Sequence, residues 1–467
     1  MCGAARSNHP GHSEISADRR IAHLTPTSSG ELRRQLGLAS VTMLVVGEVI
    51  GVGIFLTPAQ MARALGSPFW LLVVWLAMGV MALTGALSYG ALAARFPEAG
   101  GGYVYLREGW GRGLAFLYGW KCLFVLDPGL TAALAVGVAS YAAYMVELAP
   151  IAQKLLAMSA IVLVAGANII GVRLGAGITR WLTFLKLGLL GFLILWGFAR
   201  GLGDWSHFVP FVAQRPGSAP LGAALAIGLV SAFFSFGGWW DASKVAGETR
   251  DPRRTVPRAL ILGVTIVTAV YILTTTAFLY LVPLERVTSG EAFAAQAGEA
   301  LFGRIGGTVF AAVVCIGVLS SLTSYMIAAP RVYYAMARDG IFLKAAGALH
   351  PRFGTPVGAI LVQAALAILL VALGSFDQIV GYFLFATVLF VALTAAAVFR
   401  LPARTDSGDF WQISPAIPIV FLSFSVWLLF LFVRNSPSQA LLGTAVVGLG
   451  WPVYHLVFRR GLPRRAE

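Results

Sequence analysis

Apolar stretches of about 20 residues, parted by short polar segments, recur along nearly the whole chain. About 20 residues at ~1.5 Å each is what a helix needs to cross ~30 Å of hydrocarbon. That repetition predicts an integral membrane protein. With no water in the bilayer core, every backbone N–H and C=O needs a partner within the protein, so the spanning structures are helices or closed barrels. A barrel calls for alternating segments of about ten residues, which this sequence lacks. The pattern therefore predicts an all-α polytopic protein with about 12 transmembrane helices. They are expected over residues 38–65, 69–94, 113–147, 155–171, 178–199, 221–247, 258–282, 304–336, 356–373, 378–400, 413–433 and 439–458. Spans three and eight are longer than a bilayer requires, which permits tilt. The composition agrees: 58% of residues are hydrophobic and 12% charged, against roughly half and a quarter in soluble domains.

Two spans are interrupted by glycine. Span one reads Gly47-Glu48-Val49-Ile50-Gly51-Val52-Gly53-Ile54-Phe55, and span six reads Phe234-Ser235-Phe236-Gly237-Gly238-Trp239-Trp240-Asp241. A helix is broken inside a membrane only where the freed backbone groups are buried in protein or line a cavity. If the first five spans form one unit and the next five another, the two breaks fall at matched positions. Matched breaks are the mark of an inverted-repeat carrier with a solute site near the midplane. The alternative for Gly47-xxx-Gly51 is a small-residue face for helix packing.

A net charge of +14 invites a nucleic-acid reading, but the basic residues lie mostly in loops of one parity. Arg19, Arg20, Arg33 and Arg34 precede span one, and Arg95, Arg107 and Arg112 follow span two. Arg250, Arg253, Arg254 and Arg258 follow span six; Arg331, Arg338, Lys344 and Arg352 lie at or after the end of span eight; Arg459, Arg460, Arg464 and Arg465 close the chain. The opposite loops hold isolated cations such as Lys154, Arg200, Arg215, Arg286 and Arg434. Positive-inside bias explains this, placing both termini in the cytoplasm of a multi-pass cell-membrane protein, on this reading a bacterial inner membrane. Cys2, Cys122 and Cys315 show no metal or disulfide spacing, and no cofactor is indicated. Nor does any cluster of nucleophile, base or metal ligands suggest an enzyme.

In domain terms, residues 1–35 are expected to be a disordered cytoplasmic tail and 36–400 an inverted-repeat core. Spans one to five cover about 38–199 of that core, and spans six to ten about 221–400. The polar segment Arg404 to Asp409 leads into two peripheral spans within 401–458, and 459–467 forms a short tail.

An α-amino acid presents a carboxylate and an ammonium close together, and a broken helix offers partners for both. N–H groups near Gly51, Val52 and Gly53 point a positive dipole end at a carboxylate. Carbonyls near Val49 and Ile50, and those of Phe234, Ser235 and Phe236, can accept from the ammonium, with Gly237 and Gly238 as the unwound hinge. Phe234 is the candidate lid. Ionisable residues within spans are costly and each marks a functional candidate: Glu48, Lys121, Asp127, Lys186 and Asp241. Lys186 would be either a fixed cation beside the span-one break or a lysine snorkelling to the interface. Glu48 would be half of a silent ion pair with Lys121 or Lys186, or a proton carrier. Asp127 precedes Pro128 and fits a kink in span three. Asp241 either caps the second half of span six or meets a cationic substrate side chain.

Taken together, Gly51 to Pro58, Gly66-Ser67-Pro68, Gly100-Gly101-Gly102-Tyr103, Phe236-Gly237-Gly238-Trp239, Glu248 to Ala259, Arg338-Asp339-Gly340 and His350-Pro351 resemble the amino acid-polyamine-organocation superfamily, closest to its L-type amino acid transporter branch. The resemblance implies five plus five inverted spans with two extra helices, and alternating access of one α-amino acid without sodium, by exchange or with protons. It puts the carboxylate site on Gly51, Val52 and Gly53, and the ammonium site on Ile50, Phe234, Ser235 and Phe236. It makes Lys186 the span-five lysine that stands in for sodium, and Ser321 its partner. Three departures stand out. Glu48 replaces a small or hydroxyl residue, which favours a proton-linked step. Trp240 and Asp241 replace smaller polar and aromatic types, which bears on side-chain selectivity. The loop between spans three and four has no cysteine, so no disulfide-linked subunit is expected. The rival readings are an amine or polyamine transporter, favoured if Glu48, Asp127 or Asp241 faces the cavity, and a transporter-like solute sensor.

Overall fold

The computed structural model describes residues 3, 34, 36–51, 53–98, 100–170, 175–287, 293–344, 348–351, 353, 355–401 and 413–458, without the side chains of 175–183, 328, 331, 334, 335 and 338. The predicted tails, the polar segment 404–409 and Val52 lie outside the described residues. Span one is α1 (Leu38–Val49) and α2 (Gly53–Leu65), bent by 44°. Then come α3 (Pro68–Arg95), a short α4 (Gly102–Trp110), and α5 (Arg112–Lys121), which runs through a π-helical turn at Cys122–Leu126 into α6 (Asp127–Met145). Spans four and five are α7 (Pro150–Ile170) and α8 (Gly175–Ala199). Span six is α9 (Leu221–Phe236) followed by a 3-10 segment, Trp239–Glu248. The second half continues with α10 (Pro252–Leu281), a one-turn α11 (Leu284–Val287), α12 (Phe293–Ala328), α13 (Pro330–Arg338), α14 (Val357–Leu373) and α15 (Phe376–Arg400). The chain ends in α16 (Ala416–Asn435) and α17 (Pro437–Val453).

Among the described residues nine helices are long and apolar enough to span a membrane. The bent α1–α2 pair is a tenth span, and the shorter apolar helices Phe184–Ala199 and Val357–Leu373 occupy the places of spans five and nine. Span eight differs from expectation at one end. It was expected to run from residue 304 to 336, but Ala329 turns and Pro330 opens a separate helix, since proline is favoured in a first helical turn. Its start agrees: Phe302 and Gly303, just before residue 304, leave helical angles, with Gly303 at φ 67°, a conformation glycine reaches without strain.

Pro128 illustrates how a membrane helix tolerates a missing N–H. Proline cannot donate to the carbonyl four residues back, here Phe124, and the Tyr382 hydroxyl of α15 fills that place at 2.9 Å. The π-turn beside it carries Asp127 N–H to Cys122 O.

Helices in lipid gain little from burying apolar surface against each other, so close packing at small residues holds them. Gly79 of α3 faces Thr268 of α10, where an added Cβ would lie 2.5 Å from a Thr268 methyl, and Gly263 of α10 faces Val45 of α1 at the same distance. Gly85 leaves room for the Trp239 ring, which seats the 3-10 segment against Tyr89 of α3 and Phe421 of α16. The two breaks therefore lie in the middle of the bundle, with α10 packed on α1 and on the 3-10 segment.

Candidate functional site

The two breaks are bridged by one hydroxyl. Tyr271 of α10 directs its OH at Val49 O (2.8 Å) and Ser235 O (2.7 Å), so a single phenolic proton is shared between the last carbonyls of both broken spans. Its ring is buried against Trp75 and Phe236. Nothing in the periodicity of α10 singles out this residue; the sequence reading passed over it.

At the first break Ile50 leaves the helix with ψ 63°, and Gly51 N–H donates back to Val49 O at 2.7 Å. A Cβ on Gly51 would meet only Glu48 O, at 3.4 Å. Gly53 is the reverse: its Cβ would lie 2.5 Å from Ser235 Cα, so this glycine is required by contact between α2 and α9 rather than by open space. Gly53 opens α2, and the first N–H groups of a helix have no acceptor within it. The N–H groups of that first turn, rather than the Gly51 N–H, are the unspent donors. Behind them, the Thr57 and Ser235 hydroxyls lie 2.6 Å apart, and the remaining proton goes to Gly53 O (3.0 Å) or Ser231 O (3.1 Å).

At the second break Gly238 takes φ 106° beside Glu48, and Gly237 N–H donates to Phe234 O at 3.1 Å. The carbonyls expected to meet an ammonium thus divide. Phe234 O and Ser235 O each already hold one donor, while among the described residues no hydrogen bond ends on Ile50 O or Phe236 O. The Phe234 ring, the expected lid, lies edge-on to Phe376 and Phe383 of α15. Trp240, expected to bear on selectivity, is 8% exposed and packs against Phe233 and Trp239.

Lys186 is 2% exposed, and its Nζ donates to Ser321 Oγ at 2.9 Å, while Ser321 lies 3.2 Å from Gly317 O. Gly317 was not foreseen. A Cβ there would fall 2.6 Å from Lys186 Cγ, so this glycine makes the groove in α12 along which the lysine stem lies.

Lys244 Nζ is 2.7 Å from Asp241 Oδ1. Glu48, read as half of an ion pair with Lys121 or Lys186 or as a proton carrier, has its Cβ and carbonyl beside the Gly238 hinge. Lys121 is 1% exposed, its ammonium over the rings of Tyr118 and Phe390. Asp127 is 3% exposed; its Oδ1 accepts from Tyr325 OH at 2.6 Å and its Oδ2 has no hydrogen-bond partner. Among the described residues no cluster of metal-ligating side chains occurs, and Cys122 and Cys315 are free thiols.

Residues 36–450 match the family described as amino acid permease. The chain belongs to the amino acid permease family. It is similar to the serine/threonine exchanger SteT of Bacillus subtilis, with 29% identity over 93% of this chain and 99% of the exchanger. The human cystine/glutamate transporter shares 27% over 91% of this chain and 85% of its own, and the mouse b(0,+)-type amino acid transporter 1 shares 26% over 94% and 91%. The sequence expectation of an amino acid-polyamine-organocation permease, a multi-pass transporter and not an enzyme, agrees with these matches.

Proposed function

We propose that this amino acid permease is sodium-independent and works by alternating access, exchanging one α-amino acid for another or moving it with protons. The observation that carries this reading is the Lys186 ammonium, buried and hydrogen-bonded to Ser321 between spans five and eight. A fixed cation there removes the need for a bound metal cation next to the broken helices. The substrate carboxylate is read onto the N–H groups at Val52, Gly53 and the rest of the first turn of α2, with Gly51, whose own N–H is turned to Val49 O, leaving the approach open, and its ammonium onto Ile50 O and Phe236 O, with second lone pairs at Phe234 O and Ser235 O. Phe234 is the lid, and both termini are read as cytoplasmic. The exchange reading has the added support that relatives of this length include a serine/threonine exchanger.

The test is counterflow in liposomes loaded with amino acids. Uptake of labelled substrate should be unaffected when sodium is replaced by choline. It should also depend on amino acid inside the vesicle if exchange holds, or on a proton gradient if symport holds.

A further inference from the structure

Asp127 of α6 is a buried ionisable group that the site described above leaves without a task. It stands where the π-turn Cys122–Leu126 passes into α6, and π-bulges inside helices are frequent at functional sites. Tyr325 of α12 donates to its Oδ1 at 2.6 Å, while Oδ2 is buried with no hydrogen-bond partner. One turn further along α6, Thr131 Oγ1 accepts from Gln363 Nε2 of α14 at 2.9 Å, and Gln363 Oε1 is likewise buried without a partner. This seam between three helices is short of donors, not of acceptors. Nor does a cation take the free oxygen. Among the described residues Lys244 is held by Asp241 at 2.7 Å, Lys186 by Ser321 at 2.9 Å, and Lys121 lies over the rings of Tyr118 and Phe390. A buried carboxylate with an orphaned oxygen and no ion-pair partner is costly, and such groups take up a proton instead.

We propose that Asp127 is the proton site of the carrier: Oδ2 binds a proton from the water on one side of the membrane and releases it to the other, so that proton and amino acid move in one cycle. The proposal rests on the amino acid permease reading above and chooses between its exchange and proton-coupled forms. The enclosure of Oδ2 selects the ligand. A water needs room and two to four polar partners, and a substrate ammonium needs a cavity, whereas a proton needs no volume of its own. Once protonated, Oδ2 is a donor, the kind of group the seam lacks. The carboxyl is also joined to the parts that carry the transport reading. Tyr325 and Ser321 are one turn apart on α12, so neighbouring positions of one helix hold the Asp127 carboxyl and the Lys186 ammonium. Two residues beyond Asp127, Gly129 is pressed on Phe383, whose ring meets Phe234. The charged and titratable groups around Asp127 are Tyr118, Lys121 and Cys122 of its own span, Tyr325 of α12, Tyr382 of α15, whose hydroxyl is engaged at Phe124 O, and Asp241 and Lys244 of the 3-10 segment. The sequence of α14 has none, and the one on α7, Lys154, is bound to Ala372 O.

The test uses the purified full chain in liposomes, with a radiolabelled mixture of the protein amino acids outside, none inside, and the membrane potential clamped. Uptake is measured with the outside about one pH unit more acid than the inside and again with the gradient collapsed by a protonophore, and the readout is the ratio of the two. One pH unit drives on the order of tenfold accumulation when one proton moves with each amino acid. We expect a ratio of several-fold in the parent and a ratio close to one in Asp127→Asn, whatever the basal rate of that variant. If Asp127→Asn does not fold or does not transport, Tyr325→Phe decides. It removes the one donor to the ionised carboxyl, so the pH of half-maximal uptake should move upward; a pH profile equal to that of the parent overturns the assignment, since a packing role would leave the profile where it was. Parent uptake indifferent to the gradient overturns the proton site and leaves the amino acid reading intact. A gradient response that persists in Asp127→Asn does the same. No uptake by the parent, with the gradient or against amino acids loaded inside, overturns both.

Discussion

The two halves of each broken span are held in different ways. On the side away from the chain ends, α2 and α9 pack closely at Gly53 and Ser235 and share the Thr57–Ser235 hydroxyl contact. Gln60 of α2 also accepts from Ser231 (3.2 Å) and donates to Asp377 of α15 (2.8 Å), tying three spans together beneath the Phe234 aromatic cluster. On the side of the chain ends, α1 and the 3-10 segment approach at Glu48 and Gly238, and are joined to the upper site through the single Tyr271 hydroxyl. Exposure follows the same division. Gly53, Thr57, Ser235 and Phe236 are buried, while Gly237, Gly238, Asp241 and Lys244 are part-exposed and Glu48 is exposed. The α2 and α9 halves are thus tied by close side-chain packing and hydroxyl contacts, whereas the α1 and 3-10 halves are tied by the Tyr271 hydroxyl and by backbone bonds of Leu36 to Glu248 O and from Arg250 N–H.

The comparison can be broken most severely at Gly53. Gly53→Val inserts side-chain atoms where Ser235 Cα already stands, and overpacking of this kind typically costs about 1–3 kcal/mol or more. We expect a clear fall in melting temperature in detergent. Gly51→Val meets open space first and should leave the melting temperature close to that of the parent while removing amino acid stabilisation. Equal melting behaviour for the two variants would erase the difference drawn between the glycines.

Tyr271→Phe comes next. It takes the Tyr271 donor from the buried Ser235 carbonyl and leaves Val49 O with the Gly51 N–H alone, a loss of roughly 1–3 kcal/mol. Because the hydroxyl joins the halves, exchange rate should fall by more than amino acid affinity does; unchanged counterflow kinetics would remove Tyr271 from the coupling. Gly317→Ala should push the Lys186 stem out of its groove and reproduce, in milder form, the transport defect of Lys186→Ala. Transport by Lys186→Ala equal to that of the parent would return the lysine to a packing role.

The smallest effect is expected at Gln60. Gln60→Ala removes two exposed or part-buried hydrogen bonds, each worth about 0.5–1.5 kcal/mol. In a background lacking the native cysteines, Ser235→Cys should then label faster with an impermeant thiol reagent applied from the α2 and α9 side. Labelling at the original rate would show that the aromatic cluster closes that side unaided.

How much of this was legible beforehand follows from the kind of signal each feature leaves. Span positions were readable because length and apolarity are local properties, and the breaks were readable because Gly51, Gly53 and Gly237-Gly238 interrupt otherwise apolar helices. The Lys186–Ser321 pair came from family resemblance, since a sequence separation of 135 leaves no spacing rule. Tyr271 and Gly317 left no signal: a tyrosine in a membrane helix and one glycine among many look alike until the partner helix is in place. The short helices α4 and α13 were missed because they are amphipathic pieces at the ends of spans, and the apolar count merged α13 with span eight. Glu48 was flagged as a departure, but its place beside Gly238 was not legible, because the second break lies 190 residues further along the chain, where no helical register predicts direction.

The most direct test of the central claim is uptake of labelled amino acid into liposomes holding the purified chain, with sodium present and then replaced by choline, for the parent and for Lys186→Ala. The account predicts saturable uptake by the parent that is indifferent to sodium and is lost or much slowed in Lys186→Ala. Parent uptake that collapses without sodium would contradict it.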